Sequence, residues 1–275
     1  MSKTRKNKKT ERRKPSVMMA MSSRTGPSAL CFASILNQIN NKTGVFDHYV
    51  IDNTPALDVS RNELMRYFLE NTTLDYLMWV DDDVILPSNI GELLTIDEPF
   101  ISPLCWIIAK GRPSPGVYTW KEGYMITTIS PARLSMMMTE LTEQGKPPIL
   151  YNIDAVGGGV NMIRRDVVET CVDEHGEWYR YVWDDPSNRV RRAEDLYFFK
   201  MAQEHGYKLT VHLGVECGHE KMFDIRTIAQ LMFRGPPDLV ESEEVKIDRE
   251  AEAWIKERKA RLNAEAEKKN EIQTP

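Results

Sequence analysis

The chain has 275 residues, 41% hydrophobic and 28% charged, with a net charge of −5 at pH 7. That is enough for one large α/β domain, or two small ones, around a substantial core. No apolar run approaches the roughly 20 residues a membrane helix needs, and Val17-Met18-Met19-Ala20-Met21 is too short for a secretory signal core, which points to a soluble, cytoplasmic protein.

Residues 1–15 hold eight lysines and arginines against one acid, Glu11, and no hydrophobic residue after Met1. Such a segment buries too little surface to offset its ordering entropy and is expected to be a disordered tail. It either contacts a polyanion, nucleic acid or an anionic membrane surface, or only solubilises the chain.

Residues 16–21 read as a short strand, followed by the polar turn Ser22-Ser23-Arg24-Thr25-Gly26-Pro27 and a helix over 28–40. Residues 46–51 form the next strand, ending in Asp52-Asn53. Residues 58–71 are an amphipathic helix with Leu64, Met65, Phe68 and Leu69 on one side. Residues 74–80 are a buried-type strand that stops abruptly at Asp81, Asp82 and Asp83. A β-α-β-α-β order predicts a mostly parallel sheet, in which ligands sit beyond the carboxyl ends of the strands. The Ser22 turn, Asp52 and the aspartate triplet all fall at such ends.

The second half is less regular. Residues 99–108 are strand-like, 110–115 a Gly/Pro-rich loop, 117–129 a hairpin, and 132–144 a helix carrying Met136-Met137-Met138. Residues 149–154 lead into Gly157-Gly158-Gly159, which is either a place of close backbone approach to a ligand or a plain turn. Helices follow over 164–171 and 193–205, then a last strand over 208–215. Residues 178–192, rich in aromatics and arginines, read as a mobile lid or as a half-buried hairpin. Residues 242–270 read as a charged helix with a thin stripe of Ile247, Ala251, Trp254, Ile255 and Leu262, packing on the domain or on a partner chain. The cysteines Cys31, Cys105, Cys171 and Cys217 form no CxxC pair, so core thiols are expected rather than a zinc site or a disulfide framework.

Three adjacent carboxylates repel one another and are costly to desolvate. A divalent cation removes that penalty, and hard oxygen donors at a strand end suit Mg2+ or Mn2+ carrying a phosphate-bearing substrate. The alternative is one helix cap and two solvated acids ahead of Pro87-Ser88-Asn89.

Taken in order, several motifs resemble the GT-A glycosyltransferases, particularly the family 2-like enzymes of bacteria and phages. These are Arg61-Asn62 opening a helix, the aspartates after Tyr-Leu-Met-Trp-Val, the Gly-Gly loop leading to Met-Ile-Arg-Arg-Asp, Ala-Glu-Asp-Leu-Tyr-Phe-Phe-Lys-Met-Ala, and the late His219. The resemblance spans residues 16–222 and implies a single GT-A type α/β domain over 16–235, with a Rossmann-like nucleotide-binding sheet flanked by helices and a helical extension over 236–275. It implies a DxD motif in which Asp83 ligates the metal, Asp81 contacts the metal or the ribose, and Asp82 lies beside the donor. It implies that His219 completes the metal shell and that Ser22, Arg24, Thr25 and Asp52 form the base and ribose site. Arg61 would face the nucleotide or its pyrophosphate, and Gly158 and Gly159 would lie beneath the donor sugar and acceptor. Asp195 would be the general base of an inverting enzyme, the favoured case, with Glu194 beside it; in a retaining enzyme Asp195 would only orient the acceptor or sugar. The donor would be a nucleotide-sugar, with UDP favoured, and the acceptor a hydroxyl on a glycan, lipid-linked sugar, protein or modified DNA base. The first loop, Met-Ser-Ser-Arg-Thr-Gly, lacks the Pro-x-Tyr-Asn of standard members, so the base contacts depart from that pattern. Two other readings stay open: a sugar-phosphate nucleotidyltransferase, which would want a glycine-rich basic first loop, and a non-catalytic assembly protein.

Overall fold

A computed structural model describes residues 13–40, 45–109, 112–121, 124–127, 129–184 and 189–220. Most of the basic tail, all of the 236–275 extension and its helix therefore lie outside the described residues.

β1 (Val17–Ser22) leads to α1 (Ala29–Asn40), β2 (His48–Asp52), α2 (Leu57–Asn71) and β3 (Tyr76–Val80). After β4 (Val84–Ile85) and a 3-10 turn at Ile90–Thr95 come β5 (Phe100–Ala109), β6 (Arg112–Pro115), β7 (Val117–Lys121) and β8 (Tyr124–Thr127). Next are α3 (Pro131–Glu143), β9 (Ile149–Ile153), β10 (Ala155–Val156), β11 (Val160–Arg164) and α4 (Arg165–Thr170). The described chain closes with β12 (Val182–Asp184), β13 (Arg189–Arg192), α5 (Glu194–Glu204) and β14 (Leu209–His219). No described helix is long and apolar enough to cross a membrane.

The central sheet has the order β2-β1-β3-β11-β5-β14-β4. β1 pairs parallel with both β2 and β3, and β5 with β14. β11 is antiparallel to β3 and to β5. Consequently β2, β1, β3, β5 and β14 all run the same way, with one strand inserted against them. The expected mixed α/β architecture, a mostly parallel sheet flanked by helices, is the one observed.

Burial follows the period-2 geometry of a sheet covered on both faces. On β1, Met18 and Ala20 join a core with Leu64 and Phe68 of α2 and Phe198 and Phe199 of α5. Val17, Met19 and Met21 point the other way, toward Cys31 and Ile35 of α1. Phe68, Phe100 and Phe198 are fully buried, each contributing roughly 2–3 kcal/mol. All four cysteines are buried free thiols.

Two polar anchors fix α2. At its end, Arg165 donates to the carbonyls of Phe68, Thr72 and Leu74 and lies 4.3 Å over the Phe68 ring, so a cation caps the last carbonyls of the helix. Near its start, Asn62 Oδ1 accepts from the amides of Trp178 (2.8 Å) and Tyr179 (3.0 Å), and its Nδ2 donates to the Tyr179 carbonyl (2.8 Å).

Several expectations need correction. Residues 112–115, read as loop, are the edge strand β6, whose two prolines are tolerated because an edge leaves N–H positions unpaired. β14 runs on to His219 through a register shift between His212 and Glu216, so His219 ends a strand and pairs with Val84 rather than following in a loop. The segment over 178–192 begins as core: Trp178 and Tyr179 are 5% and 3% exposed, and β12 and β13 pair antiparallel, which matches the hairpin alternative and not a lid at this end. β4, β10 and β11 were not foreseen as strands.

Asn62→Ala orphans two buried amides and a carbonyl. A loss of about 3 kcal/mol is expected, read as a lower denaturation midpoint at unchanged m-value.

Candidate active site: a buried arginine among carboxylates

β1, β2 and β3 end on one edge, where Ser22 is the register partner of Asp52 and Asp81 follows Val80. Because β11 runs antiparallel, its first residue, Val160, lies opposite Val80. The Gly157-Gly158-Gly159 loop is thereby delivered to the aspartates, and the Asp81 amide donates to the Gly159 carbonyl at 2.8 Å. A Cβ on Gly158 would stand 3.0 Å from Asp195 Oδ2 and 3.4 Å from an Arg61 nitrogen. One on Gly159 would meet Val84 at 3.1 Å and Asp81 Oδ2 at 4.0 Å. A side chain at either position would make these neighbours shift by a few tenths of an ångström.

Arg61 occupies the centre. Its side chain is 5% exposed, with one terminal nitrogen 3.2 Å from Asp81 Oδ1 and the other 3.2 Å from Glu194 Oε1. Its guanidinium carbon lies 5.5 Å from the Trp79 ring centroid and 5.3 Å from that of Tyr179. Burial works against the charge, but Asp81, Glu194 and Asp195 outweigh it and hold the guanidinium above its ordinary value. Arg61 is thus taken up by carboxylates, not presented to solvent where a pyrophosphate would find it. Its Nε is buried with no hydrogen-bond partner among the described residues.

One cation faces three acids, and Asp195 carries the excess. Burial pushes its carboxyl up to about 6; Arg61 opposes the rise, while Glu194 and Asp81 add to it. Burial also raises Asp81, against Arg61 and with Asp83. Glu194 and Asp195 sit in the first turn of α5, where acids complement the helix dipole, and the Asp195 carboxylate accepts from the Leu196 amide at 2.7 Å.

His219 reaches the same edge from the far side of the sheet. Its Nδ1 lies 2.9 Å from the Trp106 carbonyl, and its Nε2 lies 3.1 Å from Asp83 Oδ1. A carbonyl only accepts, so Nδ1 carries a proton. In the neutral ring Nε2 then turns a lone pair toward a carboxylate, an arrangement that calls for a cation or a second proton between them. Among the described residues no group of three or more His, Cys, Asp or Glu side chains is arranged to hold a metal ion.

Beside the triplet lies a cleft of about 530 Å³ between the loops after β1 and β2, lined by Ser22, Ser23, Arg24, Leu57, Asp82 and Tyr181 among others. Asp82 accepts from Ser23 Oγ at 2.6 Å, and Arg24 donates to the Pro55 carbonyl, joining the two loops. Asp52 is turned inward to its own loop, accepting from the Thr54 amide and hydroxyl at 3.2 Å, and its carbonyl accepts from the Ser23 amide. Asp52 and the exposed Thr25 do not line the cleft. Ser23 belongs to the Ser22–Thr25 loop expected at the base and ribose site, and Leu57 was missed; Tyr181, from the aromatic segment over 178–192, hydrogen-bonds Glu194 through its phenol and so touches both the cleft and the arginine cluster. The aromatic density of residues 178–183 was the available signal.

No family's sequence profile matches the chain, and no curated protein does. Among solved structures it is similar to A197 from STIV, at 15% identity and TM-score 0.44, covering 75% of this chain and 86% of that one. It is similar to GalNAc-T7, crystallised with UDP, GalNAc and Mn2+, at 12% identity and TM-score 0.49; the alignment covers 76% of this chain and 44% of that one. A glycosyltransferase involved in the glycosylation of the major capsid of PBCV-1 aligns at 9% identity and TM-score 0.31, over 56% of this chain and 63% of that one.

A folded-state carboxyl raised above its unfolded value contributes stability at low pH and loses it as pH rises through the folded value. Asp195→Asn is therefore expected to raise the melting temperature at pH 8 by roughly 4 °C, after discounting for partial exposure, and to have little effect at pH 4. Calorimetric scans at the two pH values check this.

Proposed function

We propose that the chain is a divalent-metal-dependent glycosyltransferase on a GT-A-like sheet. It moves a sugar from a nucleotide-sugar, with UDP favoured, to a hydroxyl acceptor, with inversion at the anomeric carbon. The observation that carries this reading is the contact of His219 with Asp83, next in the chain to Asp82, which lines a nucleotide-sized cleft. An imidazole nitrogen and a carboxylate oxygen brought to 3.1 Å are a donor pair that would suit one divalent ion. Two protein ligands also suit Mg2+ or Mn2+, which usually keep waters and take substrate phosphate oxygens for the remaining positions. The Trp106 carbonyl fixes the histidine tautomer that leaves Nε2 for the ion. Asp83 and His219 would hold the metal, with Asp81 behind them. When bound, the metal supplies neutralisation of the charge that develops on the departing diphosphate.

The remaining work falls to the chain. The cleft between the β1 and β2 loops receives the nucleoside, with Tyr181 and Leu57 offering apolar surface and Ser22 and Asp82 offering polar groups. Gly158 and Gly159 hold the loop backbone close against Asp195 and Asp81 with no side chain to displace either carboxylate. The acceptor oxygen forms the new bond to the anomeric carbon as the bond to the diphosphate breaks. The diphosphate leaves with the electron pair, and the acceptor proton passes to Asp195. A carboxylate raised to about 6 is a stronger base than an ordinary one and is still ionised at neutral pH. Arg61 is a positioning residue that ties Asp81 to Glu194 and so sets the metal edge against the base.

Gly158→Ala places a methyl against the Asp195 carboxylate. A fall in kcat of about tenfold or more is expected, with nucleotide affinity within about twofold of wild type by calorimetry. Titration of nucleoside diphosphates with and without Mn2+ tests the donor site. Binding should require the metal, be lost in Asp83→Ala and weaken about tenfold or more in His219→Ala, with Mn2+ affinity itself followed by electron paramagnetic resonance. Binding that ignores the metal and survives Asp83→Ala would sink the assignment. Asp195→Asn should bind nucleotide normally yet lose about a hundredfold or more in kcat, and wild-type kcat/KM should decline below about pH 6.

A further inference from the structure

A second cavity, of about 440 Å³, has His219 in its wall. Trp106, Ile107, Ile108 and Pro113 supply its apolar wall, and Glu216, His219 and the buried thiol Cys217 also line it. It is open to ligand: Ile108 is 43% exposed, and Glu216 is exposed. We propose that this cavity is the acceptor site and that the acceptor is a neutral saccharide. This rests on the glycosyltransferase reading and names the substrate class that reading leaves open.

Three observations support it. The cavity adjoins the reacting groups, since His219 lines it and Ile107, also in its wall, lies 3.5 Å from where a Cβ on Gly157 would stand, one residue before the Gly158 that faces Asp195, and a two-substrate transfer needs a second pocket that reaches the reacting centre. The recognition chemistry is that of a sugar, because an aromatic ring and aliphatic groups cover the C–H face of a pyranose while a few placed polar groups orient it. The polar group here is a carboxylate with a fixed position: the Trp106 indole N–H donates to Glu216 Oε1. A carboxylate accepts up to about four hydrogens, so capacity remains for adjacent hydroxyls. The same charge repels phosphate, which disfavours nucleic acid and diphosphate-linked lipids at this cavity. Trp106 ties recognition to chemistry, since its carbonyl holds His219 while its indole holds Glu216.

The test uses the full chain and neutral probes: methyl glycosides of the common hexoses and N-acetylhexosamines and their disaccharides, followed by saturation-transfer NMR without nucleotide. At least one is expected to bind saturably, with affinity reduced about tenfold in Glu216→Ala and in Trp106→Phe. Glu216→Gln, which retains the bond to the indole, should lie between. In turnover assays the same variants should raise KM for the acceptor and leave KM for the donor alone. The proposal is overturned if no saccharide binds the wild type, if the variants bind as well as wild type, or if the KM change falls on the donor. Nucleoside diphosphate binding without saccharide binding would remove the acceptor site and leave the transferase reading standing. Saccharide binding without nucleotide binding would do the reverse.

Discussion

The site depends on one buried cation. Arg61 lies under Trp79 and Tyr179 with a carboxylate on each side, Asp81 from the end of β3 and Glu194 from the start of α5. A guanidinium in this position is tolerable only because it is paired, and breaking such a pair leaves an uncompensated buried charge. The arrangement therefore locks α2, β3, α5 and the segment at Tyr179 to one another. It also leaves a surplus: three acids share one cation, and Asp195 bears the excess as a raised proton affinity. The same imbalance that fixes the architecture supplies a carboxylate suited to taking a proton.

The strand that runs against its neighbours has a comparable role. Had β11 been parallel, the glycine loop preceding it would sit at the opposite edge, away from Asp81. Its antiparallel insertion between β3 and β5 brings Gly158 and Gly159 against Asp195 and Asp81. The extension of β14 beyond its register shift acts similarly, carrying His219 to Asp83 and pairing with the short β4 that follows the triplet. Backbone direction and one shift in register thus assemble groups that no helix or strand brings together alone.

Two cavities then lie along the carboxyl edge, one beside Asp82 and one beside His219. Their linings differ in kind. The first mixes hydroxyls, an arginine and apolar groups between two loops, whereas the second is an aromatic and aliphatic wall with a single tethered carboxylate. This difference is what a transfer between chemically distinct partners needs, and Tyr181 and Trp106 connect the respective cavities to Glu194 and His219.

The alternation of strands and helices through β3 was legible because period-2 and period-3.6 burial are written over five to fifteen consecutive residues. The same local pattern placed the Ser22 turn, Asp52 and the triplet at strand ends, and the mostly parallel central sheet followed from the element order. Short or irregular elements were not legible: β4 and β10 have two residues each, and β6 carries prolines that read as loop. The sequence also singled out Asp83, His219, Arg61, Asp195 and the glycines as unusual, but not who meets whom. Arg61 looked like a ligand contact and is an internal counter-ion; Asp52 looked like a binding acid and caps its own loop. Those outcomes rest on contacts between residues far apart in the chain, such as Asp83 with His219 across 136 positions and Asn62 with Tyr179 across 117. Local periodicity carries no information about such pairs. The tertiary packing decided them, because burying a charge or an amide is tolerable only where the fold supplies its partner.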